Sequence, residues 1–188
     1  MLERLHYVLD QRGHDIRNVR AVIRATGSEV KPLEARGKLE VLPEFTESSE
    51  FKQLAMAFKR VRNIACDLSD TDYEKAEQSR PDLGSLLTED AERHLLAEIE
   101  ARQPIIEDVI DAGEDFRRGF TEAAKFGPAV NRFFSEVFVM ADDPVVRVAR
   151  LRLMKRLERL ILQLADISEI VVESGEGSVS HLTGDVGK

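Results

Sequence analysis

The residues of this chain whose type and spacing suggest a function are clustered arginines and lysines, which could bind an anionic ligand. Residues 144 to 165 carry six of them against one acid, Glu158. Guanidinium and ammonium groups at this density bind phosphate oxygens, because each group donates several charge-assisted hydrogen bonds to an anion. This segment is therefore a candidate RNA-binding surface. Its cations are Arg147, Arg150, Arg152, Lys155, Arg156 and Arg159.

A second basic cluster lies upstream, and an acidic stretch separates the two. Residues 51 to 66 hold four cations and no acid, whereas residues 67 to 115 hold sixteen acids and four bases. The formal net charge of −8 argues against a nucleic-acid partner when taken alone, but it hides these two basic regions. The charge pattern leaves an RNA-binding surface and a solvated helix face equally open. The upstream candidates for RNA contact are Lys59, Arg60, Arg62 and Asn63.

Four of the downstream cations share one side of a predicted helix. At about 100° per residue they fall within one quadrant beside an apolar seam, so we expect them to be exposed. Arg150 falls within the apolar arc instead, and a tether to a buried acid or helix end is at least as favoured for it as RNA contact. The members of the quadrant are Arg152, Lys155, Arg156 and Arg159.

No arrangement of residues predicts catalysis, a metal site or a bound cofactor. The histidines fall in separate elements and lack the close spacing of a metal pair. Asp142 and Asp143 could be drawn as an acid pair, but helix capping by Asp143 accounts for that position. The sequence has neither a GxxxxGKS/T phosphate loop nor a GxGxxG between a strand and a helix. The four histidines are His6, His14, His94 and His181.

The sequence carries no visible signal for export or membrane insertion. No run of about 18 apolar residues occurs, and the opening MLERLHYVLDQRGHD is charged throughout. The single Cys66 cannot form an internal disulfide, and its place in an apolar helical pattern predicts a small buried thiol. We therefore expect a cytoplasmic protein without a membrane partner.

An apolar period of three to four residues runs through most of the chain and predicts an all-α fold. Asp15 caps one helix, Pro32 begins another that ends before Pro43, and Ser48 or Ser49 caps a longer one. A longer helix of this kind must bury its apolar stripe against a neighbour. The stripe is Phe51, Leu54, Ala55, Phe58, Val61, Ile64, Ala65 and Leu68.

The downstream half shows two further helix starts. Thr88 is predicted to cap an acidic helix that Pro104 bends or splits. Asp143 followed by Pro144 is a strong start, with the carboxylate as N-cap and proline in the first turn. The seam of this last helix must pack on another helix. Its residues are Val146, Ala149, Leu153, Leu157, Leu160, Leu164 and Ile167.

The helices divide into two parts. Residues 69–87, SDTDYEKAEQSRPDLGSLL, lack a sustained period and predict a connecting segment. We predict a smaller helical subdomain at 1–68, opening with a helix near its N-terminus, and an antiparallel helical bundle at 88–172. The tail at 173–188 lacks an apolar pattern and is predicted to be disordered.

The stretch VNRFFSEVFVMADDPVVRVARLRLMKRLERLILQLADIS, residues 130 to 168, resembles the end of bacterial glycyl-tRNA synthetase β subunits. A phenylalanine pair, a VFVMADD-type turn, an Arg-rich helix start and a closing ADIS follow there in the same order. AFKRVRNI, at 57–64, and the N-terminal segment also resemble that subunit. Ala149 departs from the family, which usually has an asparagine at this position.

This resemblance implies a DALR-type anticodon-binding bundle, with glycine tRNA rather than DNA as its partner. It also implies a longer subunit, whose upstream domains this chain lacks. That subunit works with a separate α subunit, which holds the glycine and ATP site, to aminoacylate the tRNA. This chain alone is then expected to be non-catalytic and to bind no cofactor. The alternative is a helical protein–protein interaction module without RNA binding, and salt-sensitive RNA binding separates the two.

Overall fold

The computed structural model describes residues 14–25, 31–78 and 82–170, and within these ranges it contains helices and no strand. The all-α prediction is therefore confirmed. The predicted N-terminal helix and the tail at 173–188 lie outside the described residues. The helices are α1 (Ile16–Ala25), α2 (Pro32–Thr46), α3 (Ser49–Ala65), α4 (Asp70–Gln78), α5 (Leu83–Leu86), α6 (Asp90–Ala112), α7 (Phe116–Ala124), α8 (Gly127–Glu136) and α9 (Pro144–Leu162), followed by a 3-10 turn, Ile167–Ile170.

Helix α3 lies at the centre of the fold and packs along α9, α8 and the 3-10 turn. Ser48 is its N-cap, and its side-chain oxygen accepts a hydrogen bond from the Phe51 backbone N–H at 3.2 Å. The predicted stripe is buried along its whole length except for Ile64, which is half-buried. The stripe therefore faces the seam of α9, which is buried from Ala149 onwards.

Two prolines are accommodated inside helices. Helix α2 begins at Pro32 as predicted, but it continues through Pro43 to Thr46, so its predicted end is wrong. Pro43 is exposed, whereas Leu42 is buried and Phe45 packs on the core. Burial of these neighbours offsets the cost of the missing backbone hydrogen bond. Pro104 likewise lies within α6 and does not split it.

The connecting segment predicted at 69–87 is mainly helical within its described residues, 69–78 and 82–87. Helix α4 begins where the Ser69 hydroxyl accepts the Asp72 backbone N–H at 3.1 Å and donates to the Asp72 carboxylate at 2.7 Å. Only Tyr73 of α4 is buried, so the segment has no apolar period to detect. The division into parts at 1–68 and 88–172 stays a prediction, but the hydrophobic core is continuous across it.

Helix α6 begins with a capping box centred on Glu89 instead of the predicted Thr88. The Glu92 carboxylate accepts the backbone N–H groups of Thr88 at 2.7 Å and Glu89 at 2.9 Å. Two of the free N–H groups at the helix start are thereby satisfied. The helix ends at Gly113, whose φ of 68° is left-handed and suits glycine.

Candidate nucleic-acid interface

The start of α9 is fixed by its own sequence. The Asp143 carboxylate accepts the Val145 backbone N–H at 2.8 Å, and Pro144 occupies the first helical position, as predicted. The helix N-terminus is thereby capped, and the first turn leaves Val145 and Val148 partly exposed. This geometry sets the direction of every cation on α9.

Arg150 connects three parts of the structure. Its Nε forms an ion pair with Glu92 of α6, and both side chains are buried. Its Nη1 donates a hydrogen bond to the backbone carbonyl of Phe138 at 2.6 Å. The predicted tether to a buried acid is confirmed, and the arginine also holds the connection between α8 and α9. Its guanidinium is committed to the interior of the protein.

Arg152 and Lys155 are buried, so the expectation that they are exposed is wrong. Arg152 Nη2 lies 2.9 Å from Oε1 of Glu77, and Lys155 Nζ lies 3.2 Å from Oδ1 of Asp70, both acids of α4. Lys155 also lies 3.1 Å from Oε2 of Glu158 on its own helix. Burial lowers the pKa of Lys155, but the two carboxylates outweigh it and raise that pKa above its ordinary value. The acidic helix α4 therefore covers this part of the quadrant.

Arg156 and Arg159 keep more contact with solvent. Arg156 Nε donates to Gln103 Oε1 at 3.0 Å, and Arg159 Nη2 lies 3.3 Å from Glu74 Oε1 with its guanidinium over the Tyr73 ring. A cleft of about 330 Å³ opens beside them. Glu77 and Glu107 line that cleft together with both arginines. Its mixed charge gives it no clear preference for phosphate.

The upstream candidates on α3 separate into different environments. Arg62 is held by Asp166 and lies 3.6 Å from Glu158, so it joins α3 to the end of α9. Arg60 is exposed, and its guanidinium lies 4.2 Å from the ring centre of Phe134 on α8. Asn63 is exposed, while Lys59 is half-buried. Arg60 and Asn63 remain open to a partner from solvent.

Arg147 differs from the other cations of α9. It is half-buried, and within the described residues it has no carboxylate partner. It lies one helical turn before the tethered Arg150, so the backbone under it is held firmly. Of the ten predicted RNA-contact residues, Arg60 and Arg147 are the cations that most clearly combine access to solvent with freedom from carboxylates in the described structure.

Sequence reasoning missed the exposed apolar side chains of the connection between α8 and α9. Phe138 is 75% exposed and Met140 is 43% exposed, in the connection between α8 and α9. Val137 and Val139 in the same connection are buried. The signal was present as a two-residue alternation in VFVM, which is typical of extended backbone rather than of a helix. Helix α8 ends at Glu136.

The other residues considered for chemistry are the histidines and the acids. Within the described ranges, no group of three or more His, Cys, Asp and Glu side chains is placed to hold a metal ion. His14 precedes α1 and His94 lies on α6, while His6 and His181 are outside the described residues. None of the described helices is long and apolar enough to cross a membrane.

Cys66 was predicted to be buried, and that prediction is wrong because the thiol is exposed. It is the C-cap of α3, where the helix gives way to a turn. The helical stripe therefore no longer decides which way the side chain points. Its thiol donates to the Asn63 carbonyl at 2.9 Å.

The family of DALR anticodon binding domains matches residues 54–173. This chain belongs to that family. The matched range begins within α3 and contains the whole of α4 to α9, which are the helices that hold and cover the cations of α9. The all-helical fold and the family agree with the resemblance drawn from residues 130 to 168.

Relatives of this DALR-family chain are bacterial tRNA ligase subunits. The glycine–tRNA ligase beta subunit of Anaeromyxobacter dehalogenans (strain 2CP-C) is 38% identical over 160 residues, which are 83% of this chain and 21% of that subunit. The subunit of the same name from Yersinia pestis (strain Pestoides F) is 33% identical over 170 residues, 89% of this chain and 23% of that subunit. The chain thus spans about a fifth of the length of the curated relatives it matches.

Proposed function

We propose that this chain binds the anticodon region of glycine tRNA as part of a glycine–tRNA ligase beta subunit. The name of the matched family and the names of the relatives support the ligand. The observation that carries the site is the position of Arg147 on the rigidly held start of α9, without a carboxylate partner among the described residues. Arg60, stacked on Phe134, and the exposed Asn63 are proposed as further contacts from α3.

The cations that are paired with carboxylates between helices have a different role in this proposal. Arg150, Arg152, Lys155 and Arg62 hold helices together through carboxylates, so they shape the domain and do not touch the RNA in this conformation. Arg156 and Arg159 are secondary candidates, since a phosphate would have to compete with Gln103, Glu100 or Glu74 for them.

The complete ligase is proposed to join glycine to the tRNA with ATP, in the cytoplasm and together with a separate α subunit. The chain described here contributes RNA binding to that reaction and no chemical step. Its described residues offer cations and capping carboxylates, and Glu74 and Glu77 of α4 and Glu92 of α6 are engaged in holding arginines of α9. Binding without catalysis is the behaviour that this proposal requires of the isolated chain.

The test is a binding titration against three RNAs at two salt concentrations. The RNAs are a glycine tRNA transcript, the same transcript with its anticodon bases replaced, and a tRNA for another amino acid. The proposal requires tighter binding of the first RNA and a loss of affinity as salt rises, because phosphate contacts release counterions. Equal affinity for all three RNAs would refute the anticodon assignment, and the absence of binding would favour the protein-interaction module.

A further inference from the structure

The connection between α8 and α9 places a large aromatic side chain in solvent. Phe138 is 75% exposed, although the valines on either side of it are 6% and 5% exposed. Burial of Val137 and Val139 fixes which way the extended backbone faces, so Phe138 has to point outwards. An exposed phenylalanine in this position contributes little to the hydrophobic core.

The backbone under Phe138 is held by a buried network. Its carbonyl accepts the 2.6 Å hydrogen bond from Arg150 Nη1, and Arg150 is paired with the fully buried Glu92. At the next residue, the Val139 carbonyl accepts a hydrogen bond from the Ala141 N–H at 2.9 Å. The ring is thus presented on a fixed backbone, which reduces the conformational entropy that a ligand would have to remove.

The surroundings of Phe138 suit a base better than a phosphate chain. Met140, Val145 and Val148 follow Phe138 closely in the sequence and are also exposed, while Asp142 and Asp143 are exposed and repel phosphates. Arg147, in the first turns of α9, is available for one phosphate or for the edge of a base. Four side chains expose far less area than the roughly 800 Å² per partner of a standard protein interface. A single planar group fits this surface better than a protein does.

We propose that Phe138 is a stacking platform for an unpaired base of the anticodon loop, with Arg147 binding the adjacent phosphate. This inference rests on the proposed function and assigns the residue that engages the single-stranded part of the ligand. Unpaired bases stack on aromatic side chains because both partners have flat, polarisable faces, and the contact tolerates any base. Base identity is then read by other groups, and Phe138 supplies affinity and position.

A single-tryptophan reporter tests the contact directly, because the chain has no tryptophan. In Phe138→Trp, stacking should quench the indole fluorescence when glycine tRNA or its isolated anticodon stem-loop is added. Leu33→Trp is the matched control, since Leu33 is 84% exposed. The neighbouring Glu34 lies beside Gly113, at the opposite end of α6 from Glu92. Helix α6 has 23 residues and is about 35 Å long, so the two reporters lie near opposite ends of it and Leu33→Trp should not respond.

Binding of two further variants separates an aromatic contact from a merely apolar one. Phe138→Leu removes the flat face and should weaken binding of glycine tRNA roughly fivefold or more, the low end of measured base–aromatic stacking. Phe138→Tyr keeps the face and should bind within about twofold of the parent. Both variants should melt with the parent, because the side chain is exposed.

The outcomes distinguish this inference from the proposed function. If the parent shows no preference for glycine tRNA, the proposed function fails. If the parent binds glycine tRNA but the Phe138→Trp indole does not respond and Phe138→Leu binds normally, only the stacking role fails. If the parent sediments as a dimer and Phe138→Leu as a monomer, the surface serves self-association and the stacking role is overturned.

Discussion

Arg152 of α9 lies 2.9 Å from Glu77 of α4, and the arginine is buried beneath that acidic helix. Neighbouring pairs join Lys155 to Asp70 and Arg159 to Glu74. Helix α4 buries only one of its own residues, Tyr73, so charge and hydrogen bonding contribute much of its attachment. The acidic and basic segments that alternate along the sequence are thus partners in space.

Leu157→Ala should lower the free energy of unfolding by about 2 to 5 kcal/mol, because Leu157 is fully buried in the seam between α9 and α3. Arg156 is the residue before Leu157 on the same helix. Arg156→Ala should lower the free energy of unfolding by at most about 1 kcal/mol, since it removes only part-exposed polar interactions. Urea titration measures both effects. Equal destabilisation would mean that the facing of α9 is wrong.

Glu92→Gln should destabilise the protein by roughly 3 to 5 kcal/mol, because it leaves the buried Arg150 without a counter-charge. The control is Glu100→Gln, which removes a carboxylate from the exposed side of the same helix, 3.6 Å from Arg156. That control should cost under about 1 kcal/mol. Thermal melting of the two variants side by side decides the matter, and similar melting temperatures would contradict a structural role for the ion pair.

Local signals predicted much of this fold because they act within a few residues. The hydroxyl of Ser48 and the carboxylate of Asp143 cap the helices that their positions predict. The stripe of α3 and the seam of α9 are buried, since the helical period alone decides which side chains share a face. The same period placed Arg150 in the apolar arc of α9 and so made a tether at least as favoured for it as RNA contact.

Tertiary contacts decided what the sequence could not show. The helical period of α9 shows that Arg152 and Lys155 share one face. It does not show that helix α4 packs over that face. Helix α4 has a readable start in Ser69 and Asp72, which form a local cap, yet it lacks the apolar period that would reveal its length. The alternation in VFVM indicates extended backbone at Phe138, but it does not show the hydrogen bond from Arg150 that holds the Phe138 carbonyl.

Lys38 should make stability depend on pH above neutrality. Burial lowers its pKa from 10.5 to about 8, although Glu34 opposes the shift. Between about pH 8 and 10.5 the unfolded chain therefore holds a proton that the folded chain has released. Stability from this group must rise with pH across that window, by roughly 3 kcal/mol in all.

The contribution of Lys38 is isolated by comparison with Lys38→Met, which keeps the length of the side chain and cannot titrate. Unfolding free energies of the parent and the variant are measured from pH 7 to pH 10. The parent should gain stability relative to the variant as pH rises. Parallel curves would show that the Lys38 ammonium, which donates to the Gln163 carbonyl at 2.7 Å, is not penalised by burial.

Gly119→Ala should destabilise the protein by about 1 to 3 kcal/mol through overpacking. A Cβ at this position would lie 2.8 Å from Cδ2 of Leu164 and 3.2 Å from Cγ1 of Val109. Gly127→Ala is the matched control, because its Cβ would meet nothing closer than 3.9 Å. That change should be neutral or stabilising by up to about 1 kcal/mol, as alanine favours helices. The denaturant midpoint should fall below that of the parent for Gly119→Ala, and it should stay the same or rise for Gly127→Ala.

We expect the salt dependence of RNA binding to come from the cations that are accessible to solvent, and not from those that helix α4 covers. Arg60→Gln with Arg147→Gln removes two charges that have no carboxylate partner among the described residues. The slope of log affinity against log salt should flatten by roughly 0.7 to 0.9 for each phosphate that is no longer neutralised. Anticodon preference should change less, because phosphate contacts position RNA and base contacts specify it.

Arg152→Gln is the control that separates accessible charge from total charge. It removes a cation from the same helix, but one whose guanidinium is buried against Glu77. If phosphates bind only the accessible cations, this variant should keep the parent's slope and bind within about twofold, since salt screens its remaining effect. A flattened slope in Arg152→Gln would instead mean that RNA displaces α4 from α9. The phosphates would then occupy the positions that Asp70, Glu74 and Glu77 fill in the free protein.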